Sequence, residues 1–194
     1  MDTILASKSP RRIELLKSIN IKFRSMNSNI NEQKYSFIKN PSQHCLKLAD
    51  AKASAILSKY TDSLIIGSDT IVYFDRTILG KPKDANEAYN TLKLLSNKTH
   101  LVYTGISIKT KKYNFKFYDK TAVNFHPLTD KVIKYYIKHF NPFDKAGSYG
   151  IQDWSKVFIN NINGCYYNVM GLPVSKFYQF INNNRVLGKL INYE

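Results

Sequence analysis

Apolar residues in this chain follow two rhythms. Short continuous runs mark strands, and stripes repeating every three or four residues mark helices. Residues 3–6 form the first run, a short strand. Ile13, Leu15, Leu16 and Ile19 form the first stripe, with Ser9 as its N-cap, Pro10 in the first helical position and Asn20 as its stop. Residues 21–23 read as a short strand, and 25–40 as a long polar loop holding Glu32. A second helix opens at Pro41 and runs to about Lys59, its stripe being Cys45, Leu48, Ala49, Ala53 and Ile56. Residues 63–74 are nearly continuously apolar, as in a strand covered on both faces. A turn is expected at 78–82. Asp84 and Glu87 then form a capping box for a helix carrying Ala85, Ala88, Leu92 and Leu95. Residues 100–108 and 113–125 predict a hairpin around 109–112. Thr129 caps a helix with Val132, Ile133, Tyr136, Ile137 and Phe140. A glycine-bearing loop spans 145–152, strands are expected at 156–162 and 166–170, and the last helix at 173–182. Strands and helices intermingle without strict alternation, which predicts an α/β fold with a mixed sheet.

Several polar residues break these rhythms. Arg11 and Arg12 fall in the first turn of the first helix, where the macrodipole is already positive. An ordinary cap with a solvated arginine pair explains this. So does a phosphate site built from N–H groups, two guanidiniums and the hydroxyls of Ser7 and Ser9. Lys52 lies on the apolar stripe of the second helix, between Leu48 and Ile56, and must snorkel or meet an anion. Asp69 interrupts the most apolar strand, on the same face as Gly67 and Ile71. A carboxylate there is expensive unless paired or metal-bound. Ser7, Arg11, Arg12, Glu32, Lys52, Asp69, Lys81, Lys145 and Gln152 together suit a triphosphate. Cations would hold it, a divalent metal would bridge its oxygens, and a carboxylate would activate water.

Bulk composition narrows the field. The 194 residues suit one domain, or two closely joined lobes, and 11 Phe with 14 Tyr supply a core. No apolar run approaches the ~20 residues that span a bilayer, and no cationic segment precedes an apolar one at the N-terminus. A cytoplasmic protein is expected. Cys45 and Cys165 are too few for a disulfide framework and are read as structural; His44, His100, His126 and His139 show no metal spacing. The formal charge of +15 invites a nucleic-acid partner. The lysines are spread along the whole chain, however, and accompany Asn, Ile and Tyr, a set with AT-rich codons. Nucleic acid is therefore not the expected partner, although attraction to phosphates follows.

The motifs taken in order resemble a known family. They are Leu-Ala-Ser-Lys-Ser-Pro-Arg-Arg at 5–12, Lys52-Ala53, Ile66 to Val72, Gly80-Lys81-Pro82, His100 with Thr104-Gly105, Ala146 to Gln152 and Asn168 to Pro173. This series is similar to the Maf family of nucleoside triphosphate pyrophosphatases, also called septum formation inhibitor proteins. The resemblance implies a two-lobed, inosine-triphosphatase-like mixed-sheet fold with a deep cleft. It implies cleavage between the α- and β-phosphates, with Asp69 as proton acceptor and Arg12, Thr70 and Gln152 at positions linked to substrate choice. Ser9 to Arg12 with Gln152 looks like the branch acting on dTTP and UTP, not the 7-methyl-GTP branch. A homodimer is also implied.

On this reading a divalent cation, Mg²⁺ or Mn²⁺, is held by Glu32 and Asp69. Ser7, Arg11, Arg12, Lys52 and Lys81 bind the phosphates, and Thr70 and Gln152 meet the base edge. Three departures stand out. Asn31 precedes Glu32 where an aspartate is usual, Ser68 replaces a common alanine, and Asp153 follows Gln152 where glycine is usual. Two other readings remain: a pyrophosphatase for modified nucleotides, and a non-enzymatic nucleic-acid- or partner-binding regulator of division.

Overall fold

The computed structural model describes residues 1–35 and 39–191, so 36–38 of the polar loop expected at 25–40 lie outside the described residues. Chain order is β1 (Thr3–Leu5), α1 (Pro10–Lys17), β2 (Arg24–Ser25), α2 (Pro41–Leu57), β3 (Leu64–Phe74), β4 (Thr77–Leu79), α3 (Ala85–Leu95), β5 (Thr99–Lys109), β6 (Asn114–Phe125), α4 (Asp130–Phe140), β7 (Ile159–Asn163), α5 (Tyr166–Met170), α6 (Val174–Asn182) and α7 (Leu187–Leu190). The strands form a sheet ordered β2-β1-β3-β5-β6-β7, with β4 also on β3. It is mixed: β1 is parallel to β2 and β3, whereas β4 is antiparallel to β3 and β7 to β6. The α/β class and mixed sheet are as the hydrophobic rhythm predicts. No described helix is long and apolar enough to cross a membrane.

The chain divides into two compact units. The first comprises Met1–Asp69, Thr104–Asp119 and Gly171–Glu194. Its core includes Ile4, Ala6, Ala53, Ile56 and Ile65, so α2 packs its predicted stripe onto β1 and β3. The second comprises Thr70–Tyr103 and Lys120–Met170. There Tyr136, Phe140, Trp154 and Phe158 stack or meet edge to face, and His100, Phe125 and Tyr149 form a second ring cluster.

Capping chemistry accounts for several boundaries. Asp84 accepts from the Glu87 N–H at 2.8 Å, and Glu87 reaches back to the Lys83 N–H at 2.9 Å, one residue earlier than in the usual capping box. Thr129 caps α4 as expected. Ser9 occupies the N-cap position of α1, but its side chain makes no capping bond; its own N–H donates to Ser7 Oγ.

Local readings fail where tertiary contacts override them. The strand expected at 21–23 falls instead at Arg24–Ser25, because the Ile21 N–H turns back to Leu16 and closes α1. The turn expected at 78–82 lies earlier. Asp75 and Arg76 both have positive φ (45° and 61°), the geometry of a tight primed hairpin turn, and Thr77–Leu79 pairs with β3. Residues 166–170 form a helix despite two tyrosines, since Asn168 is buried and donates to the Val102 carbonyl and Thr121 Oγ1. Residues Trp154–Phe158 form a 3₁₀ turn before β7 begins, and α7 follows the helix expected to be last.

Candidate active site

The site in the first unit is set by how closely α2 lies on the sheet. A side chain at Gly67 of β3 would collide with the Ala49 carbonyl oxygen, and one at Gly105 of β5 would fall 2.6 Å from the Cys45 carbonyl carbon. Two glycines therefore let the α2 backbone rest directly on the strands. Lys52, one turn beyond Ala49, then meets Asp69 in the middle of β3. Its ammonium donates to Asp69 Oδ1 at 2.6 Å and pairs with Glu32 Oε1 at 2.8 Å. The buried anion that Lys52 required is thus Asp69, whose side chain is 7% exposed, and snorkelling is not needed. Glu32, in a 3₁₀ turn capped by Asn31, is half exposed.

Arg12 approaches from the start of α1. Its Nε donates to the Gly171 carbonyl at 3.0 Å and its Nη1 to Ser7 Oγ at 3.3 Å. Ser68 donates to the same Gly171 carbonyl at 2.9 Å, which ties the arginine to the residue beside Asp69. The serine that replaces a common alanine is therefore a structural link, a role its sequence position did not suggest. Burial lowers the Arg12 pKa, and the charge of Asp69 opposes that shift. Burial raises the Asp69 pKa above the ordinary carboxylate value, and Lys52 and Arg12 pull it back in part. The result is a carboxyl made more basic by burial and restrained in that by its cationic neighbours.

His44 also feels this centre: burial lowers its pKa and Asp69 opposes. Sequence spacing did not single it out. Burial, and next Asp69, push the Cys45 thiol up to about 12, so it is not a nucleophile.

The structure thus brings together Ser7, Arg12, Glu32, Lys52 and Asp69, with Arg11 adjoining Arg12 and lowering its pKa by like charge. Thr70, Lys81 and Gln152 belong to the second unit. Thr70 is half-buried beside Asp69 in the chain, and Lys81 is exposed. The loops carrying Lys81 and Gln152 are joined by a bond from the Gly147 N–H to the Gly80 carbonyl, 3.0 Å. Gln152 Oε1 is buried with no hydrogen-bond partner. Lys145 pairs with Asp144 at 2.7 Å. Asp153 accepts from Ser155 N–H and Oγ and from Tyr136 Oη, so this departure serves the aromatic cluster.

Among the described residues no group of three or more His, Cys, Asp or Glu forms a ready metal cage. The hard oxygens of Glu32 and Asp69 fit a divalent cation that draws its other ligands from phosphate and water.

The Maf-like protein family model matches residues 2–184. A dTTP/UTP pyrophosphatase of Thermosipho melanesiensis is 44% identical over 191 residues, covering 96% of this chain and 100% of its own length. One from Bacillus cytotoxicus is 46% identical over 173 residues, covering 89% and 90%. Among solved structures, the Ham1 protein of Staphylococcus aureus aligns with a TM-score of 0.44 at 13% identity, over 64% of this chain and 72% of that one.

Proposed function

We propose, from the premise that this chain belongs to the Maf-like family, that it is a nucleoside triphosphate pyrophosphatase acting on dTTP and UTP. The observation that carries the reading is Asp69: a carboxylate buried in a strand, raised in basicity by burial, yet held at 2.6 Å by Lys52 beside Glu32 and Arg12. Raised basicity in a carboxyl surrounded by cations suits a general base for a reaction at phosphate. The dTTP/UTP assignment rests on relatives of that name across nearly the whole chain.

Asp69 accepts the proton of the water that attacks the α-phosphorus. The bond from that phosphorus to the bridging oxygen breaks, and pyrophosphate leaves with the electron pair. Arg12 is oriented by the Gly171 carbonyl and Ser7, and its guanidinium meets the phosphate oxyanions. Arg11, Lys81 and the start of α1 add positive charge where the transition state gains negative charge. Lys52 favours the ionised form of Asp69 and is a further cation for the phosphates. A divalent metal, Mg²⁺ or Mn²⁺, would sit against Glu32 and Asp69 and would supply neutralisation of the triphosphate. Thr70 and Gln152 hydrogen-bond the pyrimidine edge, an amide offering both donor and acceptor. We place the reaction in the cytoplasm, on the free nucleotide pool.

The test is a panel of dTTP, UTP, CTP, ATP and GTP with Mg²⁺ or Mn²⁺, scored for pyrophosphate and nucleoside monophosphate. The expected result is stoichiometric release of both, fastest from dTTP and UTP. Orthophosphate as the product, or a purine preference, would overturn the reading.

A further inference from the structure

The loop of the second unit that bears Gln152 contains a residue that packing does not explain. Ser148 is fully buried, and its hydroxyl has no hydrogen-bond partner. Its φ is +63°, in the left-handed region, directly after Gly147 at +69°. Both features cost stability, and glycine at 148 would relieve both. The cost persists only where the surrounding structure holds it.

That structure does hold it. The Ser148 N–H donates to the Lys145 carbonyl at 3.1 Å. Tyr149 Oη lies 2.8 Å from His100 Nε2, in a ring cluster where burial drives the imidazole pKa to about 4 and keeps it neutral. The Gly150 N–H donates to Ser155 Oγ at 3.1 Å. A Cβ on Gly147 would fall 2.9 Å from Val72 Cγ2, so the loop lies against Val72. Val72 shares a face of β3 with Thr70, two residues earlier. Four residues beyond Ser148, Gln152 Oε1 is the loop's second buried oxygen with no partner.

We propose that Ser148 is a specificity-determining residue whose hydroxyl, with Gln152 Oε1, hydrogen-bonds the base of the nucleotide. The inference deepens the pyrimidine reading above and rests on it. Uracil and thymine present an N3–H between two carbonyls. Gln152 Oε1 is an acceptor in need of that N–H, and the Ser148 hydroxyl is a donor in need of a carbonyl. Cytosine keeps its 2-carbonyl but presents a bare N3 and a 4-amine, so the glutamine oxygen faces an acceptor and the serine hydroxyl, set against the 4-carbonyl of uracil and thymine, faces a donor.

The experiment compares wild type, Ser148→Ala and Ser148→Gly in steady-state turnover of UTP, dTTP and CTP, with thermal melting free of nucleotide. The expected result is a KM for UTP and dTTP raised ~5–10-fold, a UTP-to-CTP ratio of kcat/KM lowered by the same factor, and melting temperatures at or above wild type. An unchanged UTP-to-CTP ratio, or lower melting with all three substrates weakened alike, would assign Ser148 a structural role and overturn the proposal alone. Wild type inert toward UTP and dTTP would overturn the pyrimidine reading and this inference with it.

Discussion

Two ion clusters touch α2, and they are built to opposite ends. At Asp50 the carboxylate meets Lys109 at 2.8 Å on one oxygen and Lys116 at 3.0 Å on the other, with Ser107 donating as well. Burial raises the Asp50 pKa, but the two lysines together outweigh it and hold the group below the ordinary carboxylate value. At Asp69 a single lysine at 2.6 Å, shared with Glu32, meets deeper burial, and the balance tips upward. The difference separates an ion pair that braces a fold from one that, on the proposed function, keeps a base ready. A cation brings the carboxylate into the structure in both places. The amount of water removed decides whether it stays basic.

The sharpest way to break the contrast is to neutralise each acid in turn. Asp69→Asn should lower kcat/KM for dTTP by ~10³-fold at unchanged fold, as expected for loss of a general base. Asp50→Asn should leave the rate near wild type while costing about 1–2 kcal/mol of stability. Pyrophosphate release and urea unfolding measure the two arms; comparable rates for both variants would abolish the distinction. A finer test is the acid limb of the kcat/KM profile, which reports the free enzyme's base. Lys52 pulls the Asp69 pKa down, so Lys52→Met should move that limb to higher pH, whereas Lys109→Met should not move it. The smallest effect is in stability against pH. The lowered pKa of Asp50 contributes stability that is present above the ordinary carboxylate range and lost as pH falls through its folded value. Asp69 has the opposite sign: its ionisation penalises the fold as pH rises through the raised folded value. The stability deficit of Asp50→Asn should therefore vanish in acid, and the Asp69→Asn variant should gain on wild type as pH rises.

Much of this was legible from residue patterns because burial leaves local marks. Asp69 in an apolar strand and Lys52 on an apolar stripe each violated a rhythm, and each violation proved to be the other's partner. The Asp75–Arg76 turn was missed because neither residue is the glycine or asparagine that usually accepts positive φ. The helix at Tyr166–Met170 was missed because its tyrosines have strand propensity, whereas a buried asparagine bonded to Val102 and Thr121 decides the conformation. The Gly171 carbonyl that orients Arg12 left no mark at all, since a main-chain acceptor carries no side-chain signature. Ser148 was equally silent: serine is unremarkable in a loop until its φ and its empty hydroxyl are known.

That Gly171 carbonyl has a consequence for the order in which the molecule comes into being. Arg12 and its acceptor are separated by 159 residues. A growing chain exposes the arginine well before it obtains the carbonyl. Until then the guanidinium lacks its orienting contact, and the first unit lacks its third segment. A nascent chain on the ribosome therefore cannot close this contact until residue 171 has emerged, long after the arginine itself.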